Sequence, residues 1–96
     1  MRKIGAVIPE VLREVSSNED VALIFLGELW PQFAGKKLAG KTKPYSLRNK
    51  VLIVRVPDAA WKDQLVEYRQ ILKNSINEFW GVRLVYEIKF KAPGEL

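Results

Sequence analysis

The chain has no cysteine and no histidine. Without cysteine there is no disulfide framework, no redox-active thiol pair and no thiolate metal site. Without histidine, the Ser–His and Cys–His nucleophile pairs, the usual zinc sites and the commonest general acid–base are missing as well. Long apolar runs are also lacking: stretches such as residues 21–27 and 51–54 fall far short of the ~20 residues a membrane span needs. Met1-Arg2-Lys3 is basic, but Pro9 and Glu10 interrupt the apolar stretch of a signal peptide, so no export signal is expected. The glycines form no phosphate cradle, because Gly35-Lys36-Lys37 has neither the earlier glycine nor the following Ser/Thr of a P-loop. The expectation is a non-enzymatic cytoplasmic protein with no cofactor, no metal, no membrane contact and no small-molecule substrate.

A further absence is local. Residues 29–57 contain no acid, yet they carry seven cations: Lys36, Lys37, Lys41, Lys43, Arg48, Lys50 and Arg55. The whole chain is only +5, so the basic character belongs to this one stretch and the remainder is net acidic. Such a local excess is the electrostatic footprint of a polyanion-binding surface, with nucleic acid the commonest polyanion. A lysine-rich solvated loop and hairpin is the plainer reading. The carboxylates Glu10/Glu14, Glu19/Asp20 and Asp58/Asp63 could in principle work in pairs, but their spacings suit solvated helix faces and caps.

With 96 residues, 48% of them hydrophobic and 28% charged, the chain suits one folded domain with a single core. Residues 4–15 repeat Ile4, Val7, Ile8, Val11, Leu12 and Val15 at helical spacing. Ser17-Asn18-Glu19-Asp20 ends that segment and caps a second helix, whose one face carries Ala22, Phe25, Leu26, Leu29, Trp30 and Phe33. Pro31 is expected to kink or restart that helix, and Gly35 and Gly40 bracket a lysine-rich exit.

A hairpin follows, with strands at 42–47 and 51–56 and a charged turn at Arg48-Asn49-Lys50; Pro44 confines the first strand to an edge. Asp58 caps a third helix with Trp61, Leu65, Tyr68, Leu72, Ile76 and Phe79 on one stripe, either continuous to Trp80 or jointed near Glu67, and Gly81 stops it. Residues 83–91 alternate, with Leu84, Tyr86, Ile88 and Phe90 inward and Arg83, Glu87, Lys89 and Lys91 outward.

The order α-α-β-β-α-β is an α+β arrangement: a small three-stranded sheet covered on one face by helices. It divides into an N-terminal helix (1–17), a core (18–91) and a short tail (92–96) expected to fray. The open face should carry Arg55, Lys89 and Arg83 beside Val51, Ile53 and Val85. The same order is similar to type II KH-like domains, which clamp nucleic-acid backbone in a Gly-x-x-Gly loop. Here that stretch reads Val66-Glu67-Tyr68-Arg69, without glycine and with the wrong charge for phosphate.

Several residues together carry a second resemblance. Trp30 with Gly35 four intervening residues on, Leu38-Ala39, Thr42, Pro44, residues 51–54, Ala60-Trp61, Leu65, Ile76-Asn77, Gly81 and Ile88-Lys89-Phe90 resemble the DciA family. That resemblance implies a KH-like domain in a bacterial DNA-replication protein that binds the DnaB-type replicative helicase and helps load it onto single-stranded DNA. It implies largely structural roles for Trp30, Gly35, Pro44, Ala60, Trp61 and Gly81. Many members extend into a basic disordered tail. This sequence ends at Leu96, so the expectation is that this part of the mechanism is either absent or relocated to the folded domain.

The aromatics Phe25, Trp30, Phe33, Trp61, Tyr68, Phe79, Tyr86 and Phe90 fall on expected core faces. Tyr45, within the basic stretch, is the stacking candidate, and Trp80, off the main stripe, is a candidate for a partner surface. The expected nucleic-acid-binding set is Lys36, Lys37, Lys41, Lys43, Tyr45, Arg48, Lys50 and Arg55. The expected partners are a DnaB-type helicase and single-stranded or structured DNA, with association at the nucleoid. An RNA-binding KH-like module and a protein-interaction module with an acidic partner are the alternatives.

Overall fold

The structure, a computed structural model, describes residues 17–96. The helix expected over residues 4–15 lies outside them. The fold is α+β, and the residue pattern explains each element.

Helix α1 (Glu19–Ala39) starts at Asn18, whose side chain accepts hydrogen bonds from the Asp20 and Val21 amides. Its buried face is Ala22, Leu26 and Trp30, with Phe25, Leu29 and Phe33 half-buried beside them, as the spacing predicts. The expected break at Pro31 is displaced. The helix runs through Pro31 and departs from helical geometry at Gly35 (φ 87°, ψ 152°). Pro31 and Gly27, the residue whose carbonyl the ring faces one turn back, are both solvent-exposed, so water satisfies what the missing N–H leaves free. Gly35 adopts backbone angles that are essentially glycine's alone.

Strands β1 (Lys43–Arg48) and β2 (Val51–Arg55) form an antiparallel hairpin around Asn49 and Lys50, both at positive φ (51° and 64°). This is the type I′ geometry that matches strand twist. Lysine is an unusual occupant of the second position, and Glu19 supports it: its carboxylate accepts from the Asn49 amide (3.1 Å) and the Lys50 amide (2.8 Å). At the other end of β1, buried Thr42 accepts from the Trp30 indole (2.9 Å) and donates to the Leu38 carbonyl (2.6 Å).

Asp58 caps α2 (Ala59–Leu65) through the Trp61 amide. A 3-10 turn, Val66–Tyr68, joins it to α3 (Arg69–Trp80), so the third helix is jointed near Glu67. The turn rotates Tyr68 out to solvent, contrary to its expected place on the core stripe. It also brings Trp80, expected at a partner surface, fully into the core against Phe33 and Phe79. Gly81 ends α3 in the left-handed region (φ 77°).

The last strand, β3 (Glu87–Lys91), is shorter than expected. Asn77 is the reason. Its side-chain amide donates to the Val85 carbonyl and accepts from the Val85 amide, both at 2.9 Å. That clamp buries Val85, expected on the open face, and turns Tyr86, expected in the core, outward to 55% exposure. β3 runs parallel to central β2, giving the sheet order β1-β2-β3. Leu47, Leu52, Val54, Ile88 and Phe90 face the helices and join Leu26, Leu65, Leu72, Ile76 and Trp80 in one core. Each of these large side chains contributes about 1.5–3 kcal/mol. Beyond Lys91, where fraying is expected, Pro93–Glu95 forms a 3-10 turn. Glu95 bonds Lys62 (2.6 Å) and the Ala92 amide (2.8 Å), and these bonds hold its carboxyl below the usual range.

Candidate nucleic-acid interface

Pairing register decides which side chains share the open face. Leu52 and Val54 point to the helices, so Val51, Ile53 and Arg55 point away from them. Across the sheet, Arg55 lies between Lys43 on β1 and Lys91 on β3. Three cations thus form one row over all three strands. The next row on this face is Ser46, Ile53 and Lys89, and the last is Arg48, Val51 and Glu87. Glu87 is the only acid on the sheet strands.

Adjacent like charges in a sheet are unfavourable, and no member of this row has a salt-bridge partner among the described residues; the Glu95 carboxylate acts on Lys91 through space only. Among the described residues the one side-chain ion pair is Lys62–Glu95, whose carboxylate also feels the charge of Lys91. Three acids are committed by hydrogen bonds elsewhere: Glu19 to the hairpin turn, Asp58 to the cap of α2 and Glu95 to Lys62 and the Ala92 amide. Among the described residues no group of acids is placed to hold a metal ion.

The sequence-predicted residues divide into two groups. Lys41, Lys43 and Arg55 line one hollow of about 420 Å³ together with Gly40, Pro57 and Pro93. Lys36 and Lys37 stand exposed on the last turn of α1, beyond the Gly35 break. Tyr45 sits at an irregularity in β1, where the register shifts between Pro44 and Ser46, and is half exposed. The irregularity leaves Tyr45 without a partner on β2 and bends the edge strand β1.

Arg48 and Lys50 lie at the other end of the hairpin, where the Arg48–Val51 pair is four residues along β2 and about 14 Å from the Lys43–Arg55 pair. The Lys50 ammonium donates to the Arg83 carbonyl (3.3 Å). Lys89 and Lys91 complete the open face and were absent from the predicted set. Their outward positions follow from the alternation of residues 87–91, but a charge count confined to the acid-free stretch passes over them.

A family model described as Dna[CI] antecedent, DciA, matches residues 3–90. The chain belongs to the DciA family. The resemblance seen between Trp30 and Phe90 therefore extends over nearly the whole chain. No curated protein is similar enough to add to that match. DciA membership implies an accessory role in bacterial DNA replication as a DnaB helicase-loader-like protein.

The residues that carry the DciA resemblance occupy framework positions. Trp30 and Thr42 tie α1 to the start of β1, Gly35 makes the helix break, Pro44 sits beside the β1 irregularity, and Gly81 ends α3. Trp61 packs half-buried against the core beside exposed Ala60. In this DciA chain the open sheet face shares Val51, Ile53 and Lys89 with the residues that mark the family, while the cation row Lys43, Arg55 and Lys91 lies outside them. No helix among the described residues is long and apolar enough to cross a membrane.

Proposed function

We propose that this chain binds DNA across the open face of its sheet and brings that DNA to the replicative helicase. The observation that carries the reading is the Lys43–Arg55–Lys91 row, three adjacent cations with no salt-bridge partner among the described residues. A fold retains such a row at a cost in stability, and a polyanion lying across it removes that cost. Lys41, Lys36 and Lys37 extend the surface at one end, Arg48 and Lys50 at the other, and Tyr45 flanks it.

Charges on strands and loops contact phosphates and do not read base edges, so binding is sequence-independent and salt-sensitive. Five such contacts to a single strand give a log–log salt slope of about −3 to −4. The fold is read as KH-like, with the contact surface moved from the helix–helix joint to the sheet. The joint, Val66–Tyr68, has no glycine and presents Glu67.

The helical layer on the opposite side exposes Ile24 and Ile71 and bears Asp20, Glu28, Asp63 and Glu78. It is the face left for the helicase, and the protein would act in the cytoplasm at the nucleoid. The test is a titration of single-stranded DNA, duplex DNA and RNA, paired with a helicase pull-down. Both are repeated with Lys43, Arg55 and Lys91 changed to Glu. Lost DNA binding with retained helicase binding supports two separate faces. Preferential RNA binding favours an RNA module. Helicase binding without any nucleic-acid binding, abolished by the charge reversal, favours an acidic protein partner for the sheet.

A further inference from the structure

The bend leading into β3 gathers a second set of cations, which shares only Lys50 with the surface already described. Lys50 reaches it from the hairpin turn and donates to the Arg83 carbonyl. Lys73 reaches it from α3 and donates to the Tyr86 carbonyl at 3.1 Å. The Arg83 guanidinium lies over the Tyr86 ring, 5.2 Å from its centroid. Three cations from three separate elements therefore converge on the bend that carries Tyr86: Arg83 lies over the ring, Lys50 and Lys73 bond the backbone carbonyls of the bend, and the ring is 55% exposed. Beside it opens a cleft of about 300 Å³ lined by Gln70, Lys73, Asn74, Asn77, Arg83, Val85 and Tyr86.

The ring is held in place by backbone bonds. The Tyr86 amide donates to the Lys50 carbonyl at 2.7 Å, and the Asn77 clamp on Val85 fixes the preceding residue. An exposed tyrosine on a fixed backbone has little conformational freedom left to lose on binding.

We propose that Tyr86 is a stacking platform for an unpaired base, with Lys50, Lys73 and Arg83 taking the phosphates on either side of it. The site rests on the DNA-binding reading above and deepens it. A base inside a duplex is already stacked on its neighbours, so this site selects single strands, whereas the cation rows of the sheet accept any phosphate backbone.

Three ligands of equal length separate these contributions: fluorescent oligothymidine, a duplex, and an abasic strand that keeps the phosphates without bases. Tyr86→Ala is expected to weaken oligothymidine binding by about 5- to 150-fold and to leave duplex and abasic binding unchanged. Tyr86→Phe, which keeps the aromatic face, is expected to bind oligothymidine like the parent. Unchanged duplex binding also shows that the variant is folded. Equal loss on all three ligands would overturn the proposal, since the ring would then act only through local structure. No loss on oligothymidine would overturn it too. So would a parent protein that binds duplex and abasic strands as well as oligothymidine, although DNA binding would then stand. A parent that binds none of the three would remove the DNA reading itself.

Discussion

Replacing Arg55 by threonine should make the fold more stable and DNA binding weaker. Arg55 has a cation on each side, Lys43 and Lys91, at directly paired positions. With the charged heads splayed to about 7 Å, each neighbour repels it by about 0.6 kcal/mol in water. Two neighbours give about 1.2 kcal/mol at low ionic strength. Screening reduces this by more than half near 0.15 M salt and to almost nothing near 1 M, where the Debye length is about 3 Å. Arg55 is exposed, so little packing is lost, and threonine is a good strand residue. The low-salt gain of about 1 kcal/mol corresponds to about 4–8 °C in melting temperature for a domain of this size. Urea unfolding at several salt concentrations measures it, and the gain should fade as salt rises. In parallel, the salt slope of single-strand binding should shrink by about 0.7 for the lost phosphate contact. A less stable variant at low salt, or a gain indifferent to salt, would refute the account of the row. An unchanged salt slope would exclude Arg55 from the DNA contact.

Thr42→Val keeps the shape but leaves the buried Trp30 indole N–H without its acceptor, and should cost about 1–3 kcal/mol in urea unfolding. Lys50→Gly relieves a left-handed lysine and should stabilise the hairpin by about 1 kcal/mol, while its lost charge lowers affinity for oligothymidine. Gly35→Ala meets open space but forces a side chain onto φ 87°, ψ 152°, and should cost about 1–3 kcal/mol by thermal melting. Glu19→Ala withdraws the carboxylate from the turn. Amide exchange at Asn49 and Lys50 should accelerate, and because the Tyr86 amide bonds to the Lys50 carbonyl, exchange at Tyr86 should accelerate with them.

Most of the elements were legible because their periods are strong and their ends are marked. Asn18 and Asp58 are caps in sequence and in structure, Gly81 stops α3, and the stripe Leu65, Leu72, Ile76 predicts the buried face. The misplaced residues lie where a side chain overrides a local period. Alternation puts Tyr86 in the core, but Asn77 holds both backbone groups of Val85 and shifts the inward position by one. A 3-10 turn changes the phase after Leu65, and so exchanges the environments expected for Tyr68 and Trp80. The cation row was not readable in any single window. Lys43, Arg55 and Lys91 are brought together by a hairpin and a parallel pairing, both long-range choices. Counting charges along the chain finds the first two and misses the third.

Helix α1 holds both ends of the surface it does not itself form. Its Glu19 fastens the hairpin turn and its Trp30, through Thr42, fastens the start of β1. Between these two points the β1–β2 pair carries like charges that would otherwise favour fraying at the edge. The same Glu19 link continues through Lys50 to the Tyr86 backbone, so the cation rows and the exposed ring share one support. A partner that displaced α1 from the sheet would therefore release both ends of the hairpin and loosen the Tyr86 bend at once. Contact with the opposite, helical face could in this way weaken the grip on DNA without touching any DNA-binding residue. Under the proposed function a strand handed to a helicase needs such a route for release, and here α1 joins the two faces.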